Sequence, residues 1–277
     1  MRRTLIALVA LATLALPASA LATTQVALGS GVVARLSYQG RLPHFTHVSL
    51  SIKRDGKQVY QHPITSRYCG EDCQLSIVPS QKAVQVVNFA QSGEPDVLVS
   101  LFTGGAHCCS VAQVFTYDAK SKSYAMAEHN FGDPGYRLER LSSDGAREFV
   151  TADDAFAYTF TDFADSGLPV KVLRLQGHSF DNVTGQFPGL VKVDARQWLR
   201  DFHRMARTHY QNTVGVIAAW AADEYTLGRV KQAKAFLVTQ ARAGHLNAAL
   251  APKSDGGLGF VKKLEKFLRT RGYVPVS

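Results

Sequence analysis

The chain has 277 residues, 46% of them hydrophobic and 19% charged, which excludes a disordered polymer and leaves room for one large or two ordinary domains. Its formal net charge is +9, but the excess is local: residues 23–193 hold 15 Lys and Arg against 16 Asp and Glu, whereas residues 194–277 hold 14 against 6. The basicity therefore belongs to the C-terminal third.

Met1-Arg2-Arg3, the apolar run Leu5 to Leu16, Pro17 and the small residues Ala18-Ser19-Ala20-Leu21-Ala22 have the layout of a secretory signal peptide. The run is shorter than the roughly 20 apolar residues that span a bilayer. Residues 1–22 are thus expected to be removed, with cleavage after Ala20 or Ala22 and a secreted or periplasmic product without a transmembrane segment. Export takes the basic third away from the genome. Its Lys and Arg are expected on solvated helix faces, the alternative being peripheral contact with an anionic surface, and nucleic acid is not an expected partner.

From Val32 to about Val193 short alternating runs are separated by Gly, Pro, Asp and Asn, the signature of antiparallel strands. Val48 to Ile52, the turn Asp55-Gly56 and Gln58 to Tyr60 predict a hairpin. Further strands are predicted at Ala83 to Phe89, Asp96 to Phe102, Val111 to Tyr117, Tyr124 to His129, Glu148 to Thr151 and Pro169 to Leu175. After Asp194, read as an N-cap, the period becomes helical. Trp198, Leu199, Phe202, Met205, Ala206 and His209 form one apolar stripe, and three more helices are predicted, ending at Gly228, Gly244 and Gly272. The expected class is α+β: a β-rich domain over residues 23–193 and a small basic helical bundle over residues 194–277.

Displacing the chain against itself by 52 residues superimposes Val87 to Val99 on Glu139 to Thr151. Each copy reads strand, polar turn with one Gly, an acid three residues after that Gly, then strand. These units resemble the FG-GAP or VCBS repeats of integrin-like β-propellers. Together with Gly104-Gly105-Ala106-His107-Cys108-Cys109, Phe131-Gly132-Asp133-Pro134-Gly135-Tyr136 and Thr151-Ala152-Asp153-Asp154-Ala155-Phe156-Ala157, they resemble a group of uncharacterised bacterial secreted proteins. The resemblance covers roughly residues 83–190 and implies two degenerate propeller-blade-like units. It also implies calcium loops, at Asn88, Ala90, Ser92 and Asp96, and at Arg140, Ser142, Asp144 and Glu148. The first set offers one carboxylate and the second two, with a guanidinium at its opening position, short of the six to eight oxygens Ca2+ takes. The loops are expected to have kept their shape, with Gly93 and Gly145 in the turns, and to have lost their ion. Two units cannot close a ring of four to eight blades. An open stack with helices covering an exposed edge is expected, the alternative being a third, irregular unit from the N-terminal sheet.

Four cysteines in an exported chain are expected to form two disulfides. Three connectivities are open. Two join Cys69 and Cys73 to Cys108 and Cys109, and together these are favoured; the third pairs Cys69 with Cys73 and Cys108 with Cys109. His44 and His47 read as a solvated pair, set on opposite faces if the segment is extended. No G-x-S-x-G, H-E-x-x-H, Walker or dinucleotide motif occurs, and Gly177-His178-Ser179-Phe180-Asp181 lacks the closing glycine of a nucleophile elbow. Three functional readings follow in order. The first is a noncatalytic exported protein that binds an envelope or extracellular ligand through the loops bearing His107, Asp153 and Asp154, with no cofactor. The second is a periplasmic metal- or thiol-redox-handling protein in which His107, Cys108 and Cys109, with Cys69, Cys73 or His129, hold Zn2+ or Cu+. The third is a hydrolase with an acidic loop site at Asp153 and Asp154, near Asp133 and Asp181.

Overall fold

The computed structural model describes residues 22–41, 43–70, 72–76, 82–89, 94–249 and 256–273. Strands β1 (Thr23–Gly29), β2 (Val32–Arg41), β3 (His44–Arg54) and β4 (Lys57–Pro63) form an antiparallel meander in chain order. Its two tight turns are Ser30-Gly31 and Asp55-Gly56. Both residues of each turn have positive φ, the geometry that matches strand twist and that glycine adopts without steric cost. The strand Thr23–Gly29 precedes the Val32 start read from the sequence.

The second sheet contains β5 (Gln74–Leu75), β6 (Val84–Val87), β7 (Asp96–Phe102), β8 (Ser110–Asp118) and β9 (Ser123–Asn130). β6 pairs with the first part of β7 and β5 with its last two residues, along the edge opposite β8. The third sheet is another meander: β10 (Arg137–Glu139), β11 (Glu148–Ala152), β12 (Val170–Gln176) and β13 (Ser179–Asn182).

The sheets stack face to face. Val97, Val99 and Leu101 of β7 share a core with Leu36, Leu50 and Ile52 of the first sheet, whereas Leu98 shares one with Phe149, Leu173 and Leu175 of the third. A strand buried on both faces reads as a near-continuous apolar run, and Asp96–Phe102 does, broken only by the buried Ser100 after its opening acid. Among the described residues the three sheets form no closed ring, and the whole is α+β.

Four helices follow: α1 (Pro188–Arg207), α2 (Val214–Thr226), α3 (Val230–Arg242) and α4 (Gly257–Thr270). α1 starts six residues before Asp194, with Pro188 in its first turn, where its missing N–H is no loss. Asp194 is therefore an interior residue and not the cap expected. Its Oδ2 accepts from the backbone N–H of Val170 (2.8 Å) and from Trp198 Nε1 (3.0 Å), which ties α1 to β12. α2 is buried on all sides, so its apolar residues show no single stripe.

The β11–β12 connection anchors the bundle. Phe156 and Phe160 lie in the helical core, with ring centroids 4.9 and 5.2 Å from Phe267, and Phe160 is 5.5 Å from Phe260. Gly215 lets α2 close on the same connection, since a Cβ there would lie 2.2 Å from the carbonyl oxygen of Asp165 and 2.6 Å from Thr161 Cγ2. Backbone cannot yield as a side-chain tip can. Gly215→Ala is expected to cost about 3 kcal/mol, the upper end of ordinary overpacking, as measured by thermal unfolding; an unchanged melting temperature would rule out this close approach.

Candidate functional site

The two halves of the displaced repeat take up one arrangement. Asp96 and Glu148, 52 residues apart, are both fully buried, and each accepts a hydrogen bond from the backbone N–H seven residues earlier: Phe89 to Asp96 Oδ2 at 3.1 Å and Leu141 to Glu148 Oε2 at 3.0 Å. The acid thus pins its own turn. Ala90, Ser92 and Gly93 lie outside the described residues; Gly145 has φ +80°.

The electrostatics of the two loops differ. Burial raises the Asp96 pKa above the ordinary carboxylate value, with Glu94 adding to the rise. Burial also pushes Glu148 upward, but Ser142 Oγ, the Leu141 N–H and the Arg174 guanidinium outweigh it, and the net shift is downward. Arg174, from β12, donates to Glu148 Oε1 (2.5 Å) and Ser142 Oγ (3.1 Å), while Ser142 also donates to Asp144 Oδ1 (2.8 Å). These residues do not fit calcium, because a guanidinium of the chain already takes the loop's oxygens. The cation expected to clash there was Arg140; the one that engages the loop comes from a strand 26 residues beyond Glu148.

The three segments that carried the family resemblance converge at one end of the second and third sheets. The 104–109 segment joins β7 to β8, the 131–136 segment joins β9 to β10, and Asp153 and Asp154 open the β11–β12 connection. Ser110 N–H donates to the Gly132 carbonyl (2.9 Å), and Thr151 Oγ1 donates to that of Gly135 (2.5 Å). Asp154 covers Gly132, where any Cβ would lie 2.3 Å from its Cγ. His107 stands at the rim, its Nδ1 3.8 Å from Asp133 Oδ1 and its ring 4.2 Å from that of Phe163.

The adjacent acids Asp153 and Asp154 take separate partners. Asp153 Oδ1 accepts from Lys171 Nζ at 3.3 Å and Oδ2 from the Tyr273 hydroxyl at 2.8 Å, which joins the end of the helical bundle to the loop cluster. Asp153 also caps the short 3-10 turn Asp154–Phe156. Burial raises the pKa of Asp154, against a hydrogen bond from the Asp133 N–H. Burial and then the neighbouring Asp153 push Tyr273 far up. His129, half-buried beside Lys171 and Arg67, is lowered to about 4, first by burial and then by those cations, so it is neutral at physiological pH.

Two clefts meet at Asp153 and Lys171. One, of about 270 Å³, lies among His129, Gly132 and Asp154; the other, of about 320 Å³, among Asn182, Thr184, Tyr225, Arg271 and Tyr273. Lys171 and Asp153 line both, so the two polar clefts adjoin at the junction of the third sheet and the bundle. A larger cleft of about 650 Å³ lies on the first sheet. His44 and His47 both line it and are exposed. They belong to β3, where His47 has positive φ, and not to a loop.

Each cysteine is paired within its own loop: Cys69 with Cys73, whose Cα atoms are 5.1 Å apart, and Cys108 with its neighbour Cys109. The favoured cross-links are therefore not formed, since both loops can close locally. In this form neither Cys108 nor Cys109 offers a thiolate beside His107. Among the described residues no group of three or more His, Cys, Asp or Glu is arranged to hold a metal ion. Ser179 sits in a β12–β13 hairpin whose turn is Gly177-His178, and its hydroxyl donates to Asp181 (2.8 Å).

Fold and site together define an α+β protein of three stacked antiparallel sheets and a helical bundle, with two adjoining polar clefts where they meet. The chain is similar to a protein of Synechocystis sp. (strain ATCC 27184 / PCC 6803 / Kazusa) named "Probable thylakoid lumen protein sll0997", 28% identical over 141 residues, 50% of this chain and 41% of that one. It is also similar to "Uncharacterized protein y4bJ" of Sinorhizobium fredii (strain NBRC 101917 / NGR234), 25% identical over 142 residues, 50% of this chain and 22% of that one. The chain thus matches less than half the length of either relative. No family model matches the chain, and no solved structure matches it. Among the described residues no helix is long and apolar enough to cross a membrane.

Proposed function

We propose that this is an exported, noncatalytic recognition protein whose ligand lies in the groove spanned by Lys171 and Asp153, with His107 and Asp154 at its loop end. The observation that carries this reading is that Phe131 and Gly132, Asp153 and Asp154, and Lys171 line one cleft, with the 104–109 segment set beside it through the approach of His107 to Asp133. The lining of the two adjoining clefts mixes acceptors at Asp153 and Asp154 with donors at Lys171 and Arg271 and two-way groups at Asn182, Thr184 and Tyr225. Such a lining suits a hydroxyl- and amide-bearing ligand, of the kind an envelope polymer presents. The basic n-region and apolar run of residues 1–22 support export, as does a relative named for a lumen, a compartment that proteins enter by crossing a membrane. The stacked sheets are read as blade-like units in an open FG-GAP-type assembly, a reading supported by the matched roles of Asp96 and Glu148.

The test is retention of the purified protein on insoluble envelope material from a bacterium. Lys171→Ala with Arg271→Ala is expected to reduce retention at least tenfold with the circular dichroism spectrum unchanged. Equal retention of a folded double variant would refute the groove as the binding site.

A further inference from the structure

We propose that the cleft between α1 and the turn joining α2 to α3 is a second site, for a small soluble organic anion with a flat apolar body. Its apolar lining is Ala195, Leu199 and the largely buried indole of Trp220, and its charged lining is Lys192, Arg196, Arg229 and the carboxylate of Glu224, which Arg229 neutralises. Lys192, Ala195, Arg196 and Leu199 follow the i, i+3, i+4, i+7 spacing of one helix face, so the two cations stand beside the apolar pair along α1. A stripe of this spacing ordinarily disappears into a core. Here the upper part stays open.

The charge at the mouth is unbalanced. Arg229 is paired with Glu224 at 3.2 Å, whereas Lys192 and Arg196 are exposed and have no carboxylate partner among the described residues. An inorganic anion would use the cations and leave the apolar lining wet; a neutral hydrocarbon would do the reverse. A carboxylate, sulfonate or phosphate ester on an aromatic body satisfies both surfaces, its head between two long side chains that keep their charges in water and its ring against the indole. The volume, about 250 Å³, lies below the roughly 300–1,000 Å³ of sites for drug-sized ligands, which limits the body to one or two rings. This cleft shares no residue with the groove at Lys171, so it stands or falls separately from the proposed function.

A phospholipid headgroup could bring similar chemistry to the cations, and the experiment separates the two sources. Calorimetry of the full chain with 2-naphthoate is expected to show saturable binding, at least tenfold tighter than with uncharged 2-naphthamide. Lys192→Gln with Arg196→Gln, two exposed positions, is expected to weaken naphthoate at least tenfold, leave naphthamide unchanged and keep the melting temperature. Emission from Trp220, followed in a Trp198→Phe background because Trp198 is the other tryptophan, is expected to change with naphthoate at the same midpoint. Equal affinity for the acid and the amide, no binding of either, or full binding by the double variant would overturn the proposal. So would sedimentation of the protein with phosphatidylglycerol vesicles in the absence of any naphthoate signal, which would assign the cations to a lipid surface.

Discussion

Replacing Arg174 with methionine is expected to destabilise the protein by about 3–5 kcal/mol at pH 7.5, the usual cost of removing one partner from a buried ion pair. Glu148 is 0% exposed, and Arg174 is the cation that contacts it; methionine keeps most of the apolar stem and removes the charge. Burial alone drives the Glu148 pKa up, and it lies below its usual value because Ser142, the Leu141 N–H and Arg174 together overcome burial. A lowered folded pKa stabilises above the unfolded value of about 4.3 and is lost as pH falls through the folded value. In the variant burial is opposed only by Ser142 and the Leu141 N–H, and the folded pKa rises. Its deficit should then shrink as the carboxyl takes up a proton. Urea unfolding at pH 7.5 and 4.5 should show a smaller loss at the lower pH, and adding Glu148→Gln should recover much of the loss at pH 7.5. The same loss at both pH values would show that the contribution of Arg174 is packing rather than charge.

That arginine also marks where the sequence stops being informative. The turn at Asp55-Gly56, the doubly buried run Asp96–Phe102 and the helix-ending Gly228, Gly244 and Gly272 are local, because a positive φ or a strand period is fixed by neighbours a few residues apart. The 52-residue offset was legible for a similar reason, as one turn geometry demands a glycine and an acid at fixed spacing. Arg174 has no such signature. It meets Glu148 because β12 pairs with β11, and the guanidinium was sought within the loop at Arg140 instead. The groove is less legible still: Tyr273 reaches Asp153 across 120 residues, and Lys171 alternates on a strand like any surface lysine. Strands β10 and β13 are three and four residues long, too short for alternation to stand out. Asp194 passes for a cap in the sequence because a helix that opens on proline needs no polar cap, and it is the first acid inside that helix.

Asp223→Asn is expected to stabilise the protein, by at most about 5 kcal/mol at pH 7.5, and to flatten its stability against pH. Asp223 is 1% exposed in α2, and its pKa is raised to about 10, first by burial, then by the charge of Asp194 and the hydrogen bond shared with it, and by Glu224. Tyr273 lies within its field as well. Asp194 accepts from Val170 and Trp198, and the proton held by Asp223 serves the contact between α1 and α2. An unfolded aspartate titrates near 3.9. Between that value and about 10 the folded chain holds a proton that the unfolded chain has released, so stability is complete below about pH 3.9 and falls as pH rises, by at most about 1.4 kcal/mol per unit. Asparagine keeps a donor toward Asp194 and binds no titratable proton in either state, which removes the slope and leaves the helix contact. The gain should therefore vanish near pH 4 and grow with pH in chemical unfolding of wild type and variant side by side. If the variant were instead weaker by the same amount at every pH, the Asp194 to Asp223 contact would depend on the shape of the carboxyl group and not on the proton it holds.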